Sequence, residues 1–348
     1  MAEGCHVFQP DLAQPQDPEQ RLRAMVSGYR LSQVVYAATK LGVADALGAG
    51  PRPVGAVARE CGADPGVLAR VLRVLAAAGL VSREADSETY ALTGTGALLR
   101  SDVPGSLASW VVTVSEEQYV AWSQILHTVR TGRPAFDVVY GESFWDNLAA
   151  NPAAAREYAA GMSASVRETC EFLLSRRDFR EVSTIADVGG GAGAVVTELL
   201  RAHPHLTAIL QDLPDAAAAA RTGLAAAGMA DRCSIVTGSF LESVPPGADV
   251  YLLCRVLADW NDADAQAILA NCRRAMNPRA RLIVAGGLAS DADPAGRNML
   301  DLHLLVLTGG RERTAGETAA LLEAAGFAVS EVAHAGHGRV SLVEAVPA

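Results

Sequence analysis

From Val182 onward the chain alternates apolar, β-favouring runs with glycine turns and helical segments, and this alternation constrains the fold more than any other feature. STIADVGGG reads as strand and turn, AVVTELLRAHP as a helix, LTAILQDLP as a strand, and AAAAARTGLAAAG as a helix ending at Gly228. CSIVTGSF, ADVYLLCRVL, ARLIVAGGL, FAVSEVAHAG and GRVSLVEAV supply more strands, with NDADAQAILANCRRAMNP and ETAALLEAAG as helices between them. Strands joined through helices need crossover connections, so they pair mostly in parallel, and helices cover both faces of the sheet. The expectation over residues 182–348 is an α/β, doubly wound domain whose ligands sit at the carboxyl ends of its strands.

The front of the chain has a different pattern. MAEGCHVFQPDLAQPQDPEQ is polar, with neither the basic nor the apolar region of a secretory signal, and residues 1–18 are expected to be a flexible tail. From Arg21 to about Leu47 the spacing is helical, with apolar residues on more than one face, and such a helix wants a partner surface. A short helix, a turn at CGADP, a second helix begun by Asp64 and Pro65 and closed at Gly79, and two strand-like pieces, LVSRE and TYALT, complete a winged-helix outline over residues 19–100. Arg70 and Arg73 lie on the second helix, but it is otherwise largely Val, Leu and Ala. With 29 basic against 39 acidic residues and a formal charge of −10, packing or homodimerisation is expected of this domain, and no nucleic acid partner. Residues 101–181 read as a helical, substrate-lining region where several of the chain's few aromatics gather.

Half of the residues are hydrophobic, which is ample for two cores, yet no apolar run reaches the roughly 20 residues that span a bilayer. The six cysteines show no CxxC and no zinc spacing; reduced thiols in a soluble, cytoplasmic protein without a metal are expected.

The chemistry points to one turn. In Asp187-Val188-Gly189-Gly190-Gly191-Ala192-Gly193 the glycines let the backbone approach a ligand while the next helix offers its N-terminus. Asp212 closes the following strand, 19 residues after Gly193, where a carboxylate accepts from ribose hydroxyls. An adenosine-type cofactor is implied, and the spacing alone leaves NAD and S-adenosylmethionine both open.

From about Arg21 to the C-terminus the chain resembles the small-molecule O-methyltransferases of bacterial antibiotic tailoring and plant phenolic metabolism, which use S-adenosylmethionine. The winged-helix front, TGRPAFDVVYGESFWDNLAANP, DVGGGAG, QDLP, the Asp-Trp pair of LADWND, and DLHLLVLTGGRERT followed by LLEAAGF carry the resemblance in order. It implies a Rossmann-like class I methyltransferase domain behind a dimerisation domain. It further implies that Gly189, Gly191 and Gly193 line the methionine and ribose, that Asp212 holds the ribose, that Phe240 and Trp260 flank the adenine, and that Cys254 and Arg255 sit beside the cofactor. Trp122, Tyr140, Phe144, Met162, Asn298 and Met299 are the expected pocket lining.

Three positions depart from the family pattern. The residue before the Asp-Trp pair is usually a histidine base, worth roughly 10²- to 10⁴-fold in proton transfer; here it is Ala258. Gly286 stands where an acid is common, and Ser239 replaces an Asp that would meet the adenine. Methyl transfer without that base remains one reading, because alignment on an already activated sulfonium supplies much of the rate. The alternative is a non-methylating reaction, such as a pericyclic step or hydroxylation, assisted by the cofactor's charge. Replacement groups are sought in His303, in Glu312 (otherwise an ion-pair partner of Arg311 or Arg313), in His127, and in Asp259, which also reads as an acid at the start of the helix DWNDADAQAIL.

Overall fold

The computed structural model describes residues 17–85, 87–287, 294–335 and 340–348, in two compact units, 1–119 and 120–348. In the first unit, helix Pro18–Ser27 starts one residue after its cap, Asp17, whose carboxylate accepts from the backbone N–H groups of Glu19 and Gln20. Residues 17 and 18, expected in the tail, belong to the start of this helix, and the rest of that expectation, residues 1–16, lies outside the described residues. Helix Tyr29–Lys40 follows. Helices Val54–Glu60 and Pro65–Ala77 form the expected pair, the second capped by Asp64, which accepts from Val67 N–H at 2.8 Å. The wing is a three-stranded antiparallel sheet in the order β1 (Arg52–Pro53), β3 (Thr89–Leu92), β2 (Val81–Arg83); β1 is too short to have been read from the sequence. Leu47, Val57, Leu68, Leu72, Leu75 and Tyr90 form its core.

The second unit carries seven further strands: β4 (Thr184–Val188), β5 (Thr207–Asp212), β6 (Cys233–Thr237), β7 (Val250–Cys254), β8 (Arg281–Gly286), β9 (Phe327–His334) and β10 (Ser341–Pro347). Their order is β6-β5-β4-β7-β8-β10-β9; all neighbours are parallel except β8–β10 and β10–β9. This is the doubly wound sheet expected, with an antiparallel hairpin as its last two strands. The side-chain period of two divides each central strand between two cores. Ile185, Val250 and Leu252 pack with Val196, Leu199 and Leu200 of helix Ala194–Ala202 on one face. Ala186, Val188, Tyr251 and Leu253 pack with Ile268, Leu269 and Cys272 of helix Asp262–Ala275 on the other. Connections leave β4 toward β5 on one side while β7 pairs on its other side, so the switch point that opens a ligand crevice lies at the carboxyl end of β4. Among the described residues no helix is long and apolar enough to cross a membrane.

Candidate active site

At that switch point β4 ends in Asp187 and Val188, and the chain turns through Gly189, Gly191 and Gly193, all at positive φ (75°, 56° and 82°). Only glycine adopts these angles without strain. The absent side chains also make room. A Cβ on Gly189 would lie 2.8 Å from Val256 Cγ2 and 3.2 Å from the Phe240 ring, and one on Gly190 would lie 2.7 Å from Asp187 Oδ2, whereas Gly191 faces nothing within 4 Å. Asp212, at the end of β5, accepts from Gly191 N–H and Leu213 N–H, each at 2.7 Å. Burial raises its pKa and the two N–H groups oppose that rise. The carboxylate is thereby aimed and held, with lone pairs to spare for a diol.

Asp187, just before the glycine turn, is a residue for which the sequence suggests no role. It is fully buried, and neither carboxyl oxygen has a hydrogen-bond partner among the described residues. Burial and then the nearby Asp212 push its pKa up to about 7. A buried acid without partners calls for an explanation, and a cationic ligand above the glycine turn supplies one. Glycines that clear space, a braced diol acceptor and an unmatched acid suit an adenosyl-sulfonium amino acid. The signal in the sequence was an acid inside the apolar strand TIADV.

Around this cradle stand aromatic rings. Trp260 meets Phe240 edge-on at 5.6 Å and stacks on Trp145 at 6.2 Å and 14°. Ser239, in the turn before Phe240, accepts from Leu241 N–H at 3.2 Å. Cys254 ends β7, and burial raises its thiol pKa. Arg255 is the one non-glycine residue at positive φ (58°) among those described, and its N–H donates to Ala285 O at 2.7 Å. Gly286 makes this possible, since a Cβ there would stand 3.3–3.4 Å from Arg255. Such strain costs about 1–2 kcal/mol and marks functional turns.

Leu257–Asp259 forms one turn of 3₁₀ helix. Asp259 is not the helix-starting acid that the sequence suggested. Asn261 is the cap, in extended conformation, accepting from Ala263 and Asp264 N–H at 2.9 and 3.0 Å. Asp259 is half-buried instead, and its desolvation pushes its pKa up to about 7, with Arg255 lowering it and Glu312 raising it further. Glu312 is 8% exposed, and its N–H donates to Asp301 Oδ1 at 2.9 Å. The expected alternative partners of Glu312 are engaged elsewhere: Arg311 pairs with Asp262 and Glu317, and Arg313 pairs with Asp262. Arg313, 4% exposed, also donates to the carbonyls of Leu257 and Trp260 at 2.7 and 2.9 Å. The 3₁₀ turn is thus tied to the Gly310–Arg313 segment, where a side chain at Gly310 would collide with the Ala258 carbonyl.

His303 lies on helix Pro294–Leu307, and its Nδ1 accepts from the indole N–H of Trp122 at 2.8 Å. Burial lowers its pKa. Tyr140 packs on Phe136 at 4.4 Å; Phe144, 2% exposed, is a core ring between Phe136, Trp145 and Tyr158. Met162 is half-buried, while Asn298 and Met299 are exposed. His127 is half-buried and acts electrostatically on Asp137. Trp145 and Tyr158, whose hydroxyl feels the charges of Asp259 and Arg255, were not singled out from the sequence. Their signal was their place in the aromatic-rich stretch before Val182.

Residues 24–102 match the family model of an O-methyltransferase dimerisation domain, and residues 122–328 that of an O-methyltransferase domain. A phenazine O-methyltransferase of Lysobacter antibioticus is 38% identical over 327 residues, 94% of this chain and 95% of its own. The solved structure of a mitomycin 7-O-methyltransferase superposes with a TM-score of 0.90 at 37% identity, covering 95% of this chain and 98% of that one. An O-methyltransferase from neocarzinostatin biosynthesis, crystallised with S-adenosyl-L-homocysteine and 1,4-dihydroxy-2-naphthoic acid, superposes with a TM-score of 0.82 at 33% identity, covering 91% and 96%.

Proposed function

The chain belongs to the S-adenosylmethionine-dependent O-methyltransferase family, with dimerisation and catalytic parts in order, and from that premise we propose that it methylates an oxygen of a small cyclic or aromatic natural product. The observation that carries this reading is the strand-end cradle in which Asp212 is braced by two N–H groups and Asp187 is buried without a hydrogen-bond partner among the described residues. When bound, S-adenosylmethionine supplies a methyl group already activated by its sulfonium. The backbone at Gly189, Gly191 and Gly193 lets the ligand lie close, Asp212 accepts from the ribose, Phe240 and Trp260 flank the adenine, and Ser239 adds a hydroxyl beside it. Asp187 balances the amino acid's ammonium, and Cys254 and Arg255 close the strand end.

With Ala258 in the histidine position, Asp259 receives the acceptor's proton. A carboxylate held near pH 7 is matched to a phenol as a base far better than an exposed one. Desolvation keeps its proton affinity high, Arg255 restrains it and Glu312 adds to it. Trp122, Tyr140, Met162, Asn298 and Met299 contact the substrate, with Phe144 supporting them from the core. Two copies pair through the first unit, and the protein works in the cytoplasm.

Incubation of the enzyme with hydroxyaromatic candidates and cofactor, followed by mass analysis of both, tests the reading. The expected result is a product heavier by one methyl in step with demethylated cofactor. A rearranged product with the cofactor unchanged would overturn it.

A further inference from the structure

His303 carries the only imidazole among the replacement groups that is bonded to another candidate pocket residue, and the direction of that bond decides what it can do. An indole N–H only donates. Trp122 Nε1 lies 2.8 Å from His303 Nδ1, so Nδ1 must hold a lone pair. An imidazolium has no such lone pair, and burial, the cause of the lowered pKa, opposes protonation as well. The ring is therefore neutral with its proton on Nε2. The two rings lie nearly parallel, 18° apart with centroids at 6.0 Å, which suits an in-plane bond between the indole N–H and Nδ1. Among the described residues nothing accepts from Nε2–H, and the ring is only half-buried.

From this geometry we propose that Trp122 fixes His303 as a hydrogen-bond donor to an acceptor oxygen of the substrate, so that His303 orients the substrate and does not take its proton. This rests on the methyltransferase reading for what the substrate is. It narrows the class to hydroxyaromatics that also carry a carbonyl or carboxylate oxygen, because a neutral N–H binds such an oxygen and gains nothing from a bare hydrocarbon edge. Trp122 is the positioning residue and His303 the contact.

The test has two independent arms. Long-range ¹⁵N–¹H spectra of histidine-labelled enzyme without substrate read the tautomer directly. The expected result is a neutral Nε2–H imidazole at about pH 8, with a mixed tautomer in Trp122→Phe. An Nδ1–H ring or an imidazolium at that pH would overturn the proposal. The second arm measures substrate affinity by calorimetry with the demethylated cofactor present, so that no turnover is needed. His303→Gln, which can donate but is no base, is expected to keep most of the affinity for a hydroxyaromatic bearing a carbonyl. His303→Leu is expected to lose about tenfold, the worth of one hydrogen bond of about 1–1.5 kcal/mol, and to lose nothing for the analogue with the carbonyl reduced to methylene. Equal losses in Gln and Leu, or equal losses for both ligands, would overturn the donor role. Should the enzyme bind such ligands yet transfer no methyl group, the function above fails while this inference stands.

Discussion

On the proposed reading, the chemistry of the absent imidazole falls to a neighbour. Asp259 has its pKa pushed up to about 7, mainly by burial. A base works in its ionised form, so kcat/KM should climb as pH rises through about 7 and then level off. Asp259→Asn should flatten that limb and lower the plateau by about 10²- to 10⁴-fold; a variant whose pH profile still bends at the same place would remove Asp259 from the role. Asp187 makes a parallel case for the cofactor. It is mostly protonated in the empty protein below about pH 7, and an arriving ammonium favours its ionised form. Cofactor binding at neutral pH should therefore release protons, seen as a dependence of the calorimetric heat on the ionisation enthalpy of the buffer. In Asp187→Asn that dependence should shrink while affinity falls.

At the level of elements, the strands, helices and glycine turn of the second unit were legible because each rests on local pattern: a short, continuously buried run in TIADV, a helical stripe in AVVTELLRA, a glycine where φ must be positive. Asp259 was harder to place. The letters DWND fit an acid at a helix start, and only the side-chain geometry shows that Asn261 takes the cap and leaves Asp259 outside the helix, half-buried. The Trp122–His303 bond joins residues 181 apart, and no local pattern announces a contact of that range. The same holds for Arg313, which binds the carbonyls of Leu257 and Trp260 from more than 50 residues away. Arg313→Met should leave both carbonyls without their donor, at about 1–3 kcal/mol each where burial persists. Urea unfolding measures that loss, and cofactor affinity should fall with it because Trp260 is no longer pinned. Unchanged unfolding would show that the tie is dispensable.

For the whole molecule, helix Pro18–Ser27 buries none of its residues within the chain and, with the start of the next helix, exposes Leu22, Met25, Val26 and Tyr29 at 49–69%. A second copy covering them is the expected state. Leu22→Glu with Val26→Glu should yield a monomer by light scattering, and a persistent dimer would place the interface elsewhere. Stability should also carry the mark of the site. Asp187 and Asp259 have folded pKa values raised from 3.8 to about 7, so the fold binds protons more tightly than the unfolded chain does. Their ionisation destabilises the fold above about pH 7, and the empty protein should gain stability as pH falls from about 7 toward about 4. Below that range the gain ends. There, carboxylates held low by arginines, such as Asp178 at about 2 and Asp262, begin to lose their pairing. Asp187→Asn should remove part of the slope and raise stability at alkaline pH by on the order of 4 kcal/mol, readable as thermal shifts across a pH series.

Arg255 in its left-handed turn and the bare backbone of Gly286 fit one another: a Cβ at 286 would press on Arg255 at 3.3–3.4 Å, and the φ of 149° there favours glycine. Substitution toward the family pattern is consequently ordered. An imidazole needs only the one change at position 258, whereas an acid at 286 is strained until the backbone at 255 and 286 has shifted. A laboratory lineage selected for faster proton transfer should acquire its changes in that sequence, and the reverse order should pass through variants of lowered stability.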